Sequence, residues 1–456
     1  MAGPAAGAHE EVLIRPVSTF RPKLFVGSLV TGLIMAVLFY SWGYQIVNDI
    51  GVAGINRPVF WGFYIVNFVF WIGISHAGTL ISAILRVTQA EWRRPVTRCA
   101  EAITTFALMI GGLFPLIHLG RPWVFWYMVP IPTDRGLWPN FRSPLMWDIM
   151  AITTYLLGSI LYLLLPMIPD FAILRDRMMR ESPKSLRTLF FRVAALGWRG
   201  TPQQWYSLEA AIRAMAVVII PVAVSVHTIV SWDFAMAIQP MWHSAIFGPY
   251  FVVGAIYSGV AVLMVAMYLL RRGLGIQEFL NDKVFNNLGL MFLAFALLWG
   301  YFTFAEHLTV WYGNEHAEIA VFDFRVTGGF AWLFWTMIVV NVVIPLLILP
   351  FPKGRKPLGT AIVGLGVLVG MWIERFLIVV GTLRFPRLDF TAGAYTPSWV
   401  EIGILVGSIG MFGFLYFTFL QLAPIVSLWE VREGAHIANR AGPAKRHALE
   451  PASEEA

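Results

Sequence analysis

Two histidines stand at matched places in two long apolar segments. FALMIGGLFPLIHL (106–119) and FALLWGYFTFAEHL (295–308) align without gaps at Phe, Ala, Leu, a central Gly, His and the final Leu, which makes His118 and His307 equivalent. An ionisable side chain in hydrocarbon costs at least about 2.5 kcal/mol, so each is a candidate functional group unless a partner silences it. Asp148 opens the next apolar segment and lies at nearly the depth of His118, although 30 residues separate them. A histidine and a carboxylate facing each other across adjacent helices can take a proton from a hydroxyl, such as a quinol's, and relay it onward. The alternative is a polar cluster that only ties two helix ends together.

Other polar residues interrupt the apolar segments. His76, in GISHAGTL, lies mid-segment among small residues that allow close helix contact; it is either hydrogen-bonded across an interface or part of a proton path. Glu101 precedes His118 by 17 residues, about 26 Å of helix. It reads first as a solvated carboxylate at a helix start, favoured by the dipole, and second as a proton entrance. His227 with Asp233, Glu306 with His307, Glu374 with Arg375, and Arg213 read as cross-bridges between helices or as a second proton route. Glu374 and Arg375 are adjacent and point about 100° apart, so they are expected to reach for different helices rather than pair.

The elements that position these groups follow from composition. With 58% hydrophobic and 13% charged residues, the chain is too apolar for a soluble globule, and its apolar blocks run to about 20 residues. Spans are expected at 24–47, 59–85, 99–119, 145–168, 210–232, 247–271, 286–312, 327–350, 358–381 and 398–428. All must be helices, because an open strand edge in lipid leaves backbone groups unpaired. The fold class is therefore an all-α integral membrane protein. Of 33 Lys and Arg, 24 fall on the side of the N-terminus and 7 on the other, which puts both termini in the cytoplasm; the net charge of +7 reflects this topology and not nucleic-acid binding. The first 20 residues lack the features of a cleaved signal peptide.

The repeat extends beyond the histidines. WGFY before Arg86 and FGPY before Arg272 recur at an offset of 186, so residues 59–232 and 247–381 read as two four-helix bundles related by an axis along the membrane normal, flanked by spans one and ten. Residues 1–23 form a cytoplasmic segment. The loop 169–209 carries an amphipathic stretch expected to lie on the inner leaflet, and residues 429–456 are expected to be a solvated, partly disordered tail. One cysteine, Cys99, leaves this chain without an intrachain disulfide, a four-cysteine iron–sulfur site or a Cys-x-x-Cys-His haem attachment.

HLGRPW closing one helix, W-D at the start of the next, and GISHAGTLISAILR in the helix before resemble the NrfD/PsrC family of membrane subunits, and most of all the ActC-type quinol-oxidising subunit of bacterial alternative complex III. The resemblance covers about 57–424 and is strongest at 60–148. It implies a quinone site with His118 and Asp148 as its histidine and aspartate, and menaquinol as the substrate; Arg121 and Trp123, in the same HLGRPW stretch, are candidate quinone-binding neighbours. It also implies an iron–sulfur subunit docked on the outer face, a second NrfD-like membrane subunit, a multihaem cytochrome c subunit, and a bacterial cell membrane as the location. Trp123, Trp126, Tyr127 and Trp138 read as an interfacial belt first and as quinone-ring contacts second. Two other readings stand beside this one. Histidines in the outer halves of several spans permit a b-type haem, and duplicated bundles around polar residues permit a secondary transporter.

Overall fold

The computed structural model describes residues 4–129, 141–385 and 394–440, so Trp138 lies outside the described residues. Ten helices are long and apolar enough to cross a membrane, and no strand occurs among the described residues. Helix α1 (Pro4–Ser18) precedes the first spanning helix, α2 (Pro22–Asn48). Helices α3 (Gly62–Val87), α4 (Thr97–His118) and α5 (Pro144–Leu164) follow. Pro166 and Pro169 cannot donate to the helical ladder, so α5 passes through a 3-10 turn into α6 (Ile168–Glu181), making one rod of 38 residues. After α7 (Leu186–Ala194), α8 (Pro202–Ala235) begins eight residues earlier than expected, at a capping box between Thr201 and Gln204.

The second half repeats the pattern. Helices α9 (Phe247–Leu274) and α10 (Asp282–Gly313) are joined by α11 (His316–Val326) to a spanning segment made of α12 (Ala331–Ile338), a π-helical stretch and α13 (Ile344–Ile348). Helix α14 (Pro357–Phe376) also runs into π winding, at Leu377–Gly381. Helix α15 (Trp399–Leu422) is the tenth span and α16 (Leu428–Arg440) the last element; Ala423 and Pro424 end the span short of the expected residue 428.

Within the first half, α3 packs on α4 and α8, and α5 packs on α4 and α8, closing a ring of four. Within the second, α9 packs on α10 and α14, while the α12–α13 span touches both α10 and α14. The rings meet along α3, α8 and α9, and α2 with α15 forms the flanking pair. That pair is tight because it is built on small residues. A Cβ at Gly407 would stand 2.4 Å from the Leu38 backbone nitrogen, so only glycine allows the approach.

Helices α1 and α16 lie at one end of the bundle, called here the terminal side; the other end is the far side. The tail expected to be solvated from residue 429 instead starts as a docked helix. Asp170 is buried, accepts from Arg98 Nη1 at 2.6 Å, and also accepts from the Leu428 and Trp429 N–H groups at 3.0 and 3.1 Å, holding the first turn of α16 against the membrane domain. Glu430 is 1% exposed and ion-paired with Arg86 and Arg93, while the Arg94 Nη1 donates to the Glu430 carbonyl at 2.9 Å. Composition hid this, because a polar tail reads as solvated while three arginines near the α3–α4 turn wait for a carboxylate.

Burial works against the charge on Glu430, and the guanidinium groups of Arg86 and Arg93 outweigh it, holding the carboxyl below the usual glutamate range. A depressed carboxyl contributes stability that is present above its unfolded value, about 4.3, and is lost as pH falls through the lower folded value. Amide-hydrogen protection of Leu428 and Trp429, measured at each pH and corrected for the intrinsic exchange rate there, is therefore expected to hold down to about pH 4 and fail below it. Glu430→Gln, which leaves buried arginines unpaired, is expected to lose that protection already at neutral pH.

Candidate functional site at the far side

Gly120, at a φ of +68°, and Pro122 stop α4 just after His118. Helix α2 braces this end: Gln45 Nε2 donates to the Ile117 carbonyl at 2.8 Å, and the Tyr64 hydroxyl of α3 donates to Gln45 Oε1. The Tyr64 ring stands 6.1 Å from the His118 ring, nearly edge-on. His118 Nδ1 is buried and has no hydrogen-bond partner among the described residues.

Asp148 lies one turn into α5 and is 6% exposed. Its carboxyl meets that of Asp233 on α8, and Oδ1 of each has no hydrogen-bond partner among the described residues. Two carboxyls brought together in this way can share a proton between them. Beside them Trp147 and Trp232 meet edge to face at 6.0 Å, and Trp147 Nε1 donates to the Phe141 carbonyl at 2.8 Å. His118 and Asp148 thus lie at the same end on packed helices, as expected from depth, but among the described residues they make no hydrogen bond or ion pair with each other. Asp233 is the functional candidate that sequence reasoning left unpaired. Its signal was present: Trp-Asp occurs at 147–148 and again at 232–233, each near the far end of its helix. Arg121 and Trp123 are exposed, and among the described residues neither makes a hydrogen bond, ion pair or ring contact with His118 or Asp148.

Deeper in the bundle His76 and His227 come together, with ring centroids 4.4 Å apart. His76 Nδ1 faces the Ile72 carbonyl at 2.8 Å and Nε2 faces the Ala223 carbonyl at 2.7 Å. A neutral imidazole has one N–H, so it bonds only one of these carbonyls and gains the second bond on taking up a proton. The His227 ring is fully buried and lies 5.9 Å from that of Phe251. The Tyr155 ring lies 4.9 Å from that of His76, and its hydroxyl donates to the Ser75 carbonyl at 3.1 Å.

Glu101 corrects the expectation of a solvated carboxylate: it is 2% exposed and accepts from the Ser82 hydroxyl at 2.7 Å. Helix α3 comes so close there that a Cβ on Gly78 would overlap the Ala100 carbonyl, and α16 covers the end of the bundle that sequence left open.

In the second half, Glu306 accepts from Ser244 at 2.9 Å. His307 Nδ1 faces the Thr303 carbonyl at 2.8 Å, leaving Nε2 without a partner among the described residues, beside the Phe334 ring at 5.0 Å. Glu374 and Arg375, expected to diverge, form a buried ion pair. The 100° between Cβ vectors is bridged by the length of the arginine, whose guanidinium lies over the Phe251 ring at 5.2 Å in the room left by Gly73 and Gly254. Trp299 Nε1 donates to Glu374 at 3.0 Å, and Arg213 is exposed. Arg325, on α11 outside the spans, donates to the Leu377 carbonyl at 2.9 Å and to Thr382; burial brings its guanidinium down to about 10, and it stays charged at neutral pH.

The comparison with known proteins bears on the whole domain. The family model described as polysulphide reductase, NrfD, matches residues 51–386. A selenate reductase subunit of Mesobacillus selenatarsenatis is 27% identical over 80% of this chain and 86% of its own length. A putative dimethyl sulfoxide reductase membrane subunit of Halobacterium salinarum is 26% identical over 90% and 94%. The Hdr-like menaquinol oxidoreductase integral membrane subunit of Archaeoglobus fulgidus is 23% identical over 90% and 96%. A ten-helix membrane domain whose polar groups gather at the ends and core of its bundles, matched by that model over most of its length, belongs to the NrfD family, whose members here are membrane subunits of oxidoreductase complexes.

Proposed function

We propose that this chain is the quinol-oxidising membrane subunit of an electron-transfer complex of the alternative complex III type, with menaquinol as substrate. The observation that carries the reading is the pair of orphaned polar atoms at the far side, His118 Nδ1 and Asp148 Oδ1, set among Tyr64, Trp147 and Trp232. Buried polar atoms without partners mark a place where a ligand's hydroxyls belong, and aromatic walls suit a quinone ring. The quinol gives up two electrons and two protons. His118 accepts the proton of one hydroxyl, the Asp148–Asp233 pair accepts that of the other, and both protons leave at the far side as the two electrons pass to the partner.

The positive-inside rule puts the terminal side in the cytoplasm, so protons leave on the outer face of a bacterial cell membrane. Electrons pass to an iron–sulfur partner docked there; a second NrfD-like membrane protein and a multihaem cytochrome c are the other members of the assembly. A photoactivatable menaquinone analogue is expected to label the peptides around His118 and Asp148 in the purified complex, and excess menaquinol to protect them; label confined to the second bundle would move the site.

Coupling to proton movement across the membrane is supported by the ladder of buried groups from Glu101 with Ser82, through His76 and His227, to Asp148 and Asp233. Glu306, His307 and Glu374 form the corresponding groups of the second half. Glu101→Gln keeps the Ser82 hydrogen bond but removes the titrating group. In proteoliposomes it is expected to leave quinol turnover within about twofold while lowering protons translocated per electron; an unaltered ratio would take Glu101 out of the path.

A further inference from the structure

A cavity of about 460 Å³ opens at the terminal side between α6, the α7–α8 turn, α8 and α16, away from the quinol site. Three tryptophans line it. Trp198 and Trp205 meet edge to face at 5.0 Å, and Trp205 lies 5.5 Å from Trp429. Gly200, held at a φ of +73°, brings the two indole nitrogens to one point of the lining: a Cβ there would stand 3.8 Å from Trp205 Nε1 and 3.9 Å from Trp198 Nε1. Neither indole N–H donates to an acceptor among the described residues, whereas Trp429 Nε1 donates to the Pro166 carbonyl at 2.9 Å.

The depth of the cavity limits what can fill it. Its wall residue Pro169 follows Asp148 by 21 residues, about 32 Å of helix, and Glu209 precedes Asp233 by 24, about 36 Å. Both carboxylates sit near the far edge of an apolar layer about 30 Å thick, so the cavity falls in the lipid headgroup layer of the opposite leaflet. Helix α7 lies at the same level, because Phe191 packs against Phe171 of α6. It leaves Leu186, Leu189 and Val193 exposed in one row, and Leu196 follows just before the cavity.

The charges in the wall are of both signs. Asp176 is paired with Arg175 at 2.8 Å and Glu433 with Arg94 at 2.9 Å. Arg432 has contacts of its own. Arg199 and Glu209 remain, one of each sign, together with the two indole donors. A guanidinium and N–H groups take a phosphate, while tryptophan faces and a carboxylate take an ammonium.

We propose that this cavity binds the headgroup of an amine-bearing glycerophospholipid. Its phosphate rests on Arg199 and on the indole N–H groups of Trp198 and Trp205, its ammonium lies between the tryptophan faces and Glu209, and its acyl chains follow the apolar row of α7.

The test uses the intact complex, purified in detergent, stripped of loose lipid and re-supplied with phosphatidylethanolamine, phosphatidylglycerol or inorganic phosphate. Retained lipid per chain is counted by mass spectrometry. Wild type is expected to keep phosphatidylethanolamine that the Arg199→Gln/Trp205→Phe double variant loses, and to prefer it over phosphatidylglycerol by about tenfold. Glu209→Gln, a change at an exposed position, is expected to erase that preference. Equal retention in wild type and double variant would overturn the site. Displacement by inorganic phosphate would make it a free-anion site, and equal retention of phosphatidylglycerol, or a preference unmoved by Glu209→Gln, would overturn the amine assignment.

Discussion

Asp148→Asn is expected to lower quinol oxidation by the assembled complex about 10²- to 10⁴-fold, the range of a group that accepts a proton in the rate-limiting chemistry. The substitution is chosen because it changes little else. Asn has the size of Asp and can donate an N–H to Asp233, so the contact between α5 and α8 persists while the shared proton is lost. The partner gives the sharper test. Asp148 and Asp233 touch, so they act as one acceptor, and Asp233→Asn is expected to cost a similar factor. The double variant is expected to be little worse than either single one, since a unit already broken cannot be broken again. Additive losses would mean two separate proton acceptors. Turnover within twofold of wild type in Asp148→Asn would leave the carboxyl pair as a bracket between helices.

Much of the architecture was legible because hydropathy and charge act over whole spans. All ten expected spans are present, most within a few residues of their expected ends, since twenty apolar residues between polar loops leave the backbone one solution in lipid. The departures have local causes. Pro166 and Pro169 let one rod run from the far side out past the terminal-side interface, and the capping box at Thr201 starts α8 among polar residues that hydropathy discards.

Side-chain pairing was less legible, because rotation about a helix axis is invisible to hydropathy. His118 and Asp148 could be put at one depth by counting residues, but counting cannot tell that Asp148 faces Asp233, nor that His76 meets His227 from α8. Glu374 and Arg375 show the opposite error. A rule about Cβ directions was applied to a side chain long enough to ignore it, in a notch that two glycines on other helices provide. Glu430 was misread for a third reason, as its partners Arg86 and Arg93 are more than 330 residues away in sequence.

The second large effect concerns the other proton acceptor. His118 has an imidazole nitrogen that is buried and unpartnered among the described residues, and its helix end is fixed by Gln45 and Tyr64 through the Ile117 carbonyl. Those braces hold the backbone rather than the imidazole, so truncating the side chain is expected to leave the helix end in place. His118→Ala is expected to remove at least about a hundredfold of turnover, and His118→Gln, which keeps a hydrogen-bonding group but takes up no proton, is expected to be almost as slow.

The most direct measurement is menaquinol oxidation by the purified complex carrying His118→Ala beside wild type, with the assembly state and bound redox centres checked in both and free imidazole added to each. Lost turnover in a fully assembled complex, partly restored by imidazole, is the result this account predicts; unchanged turnover would contradict it and leave His118 a structural residue.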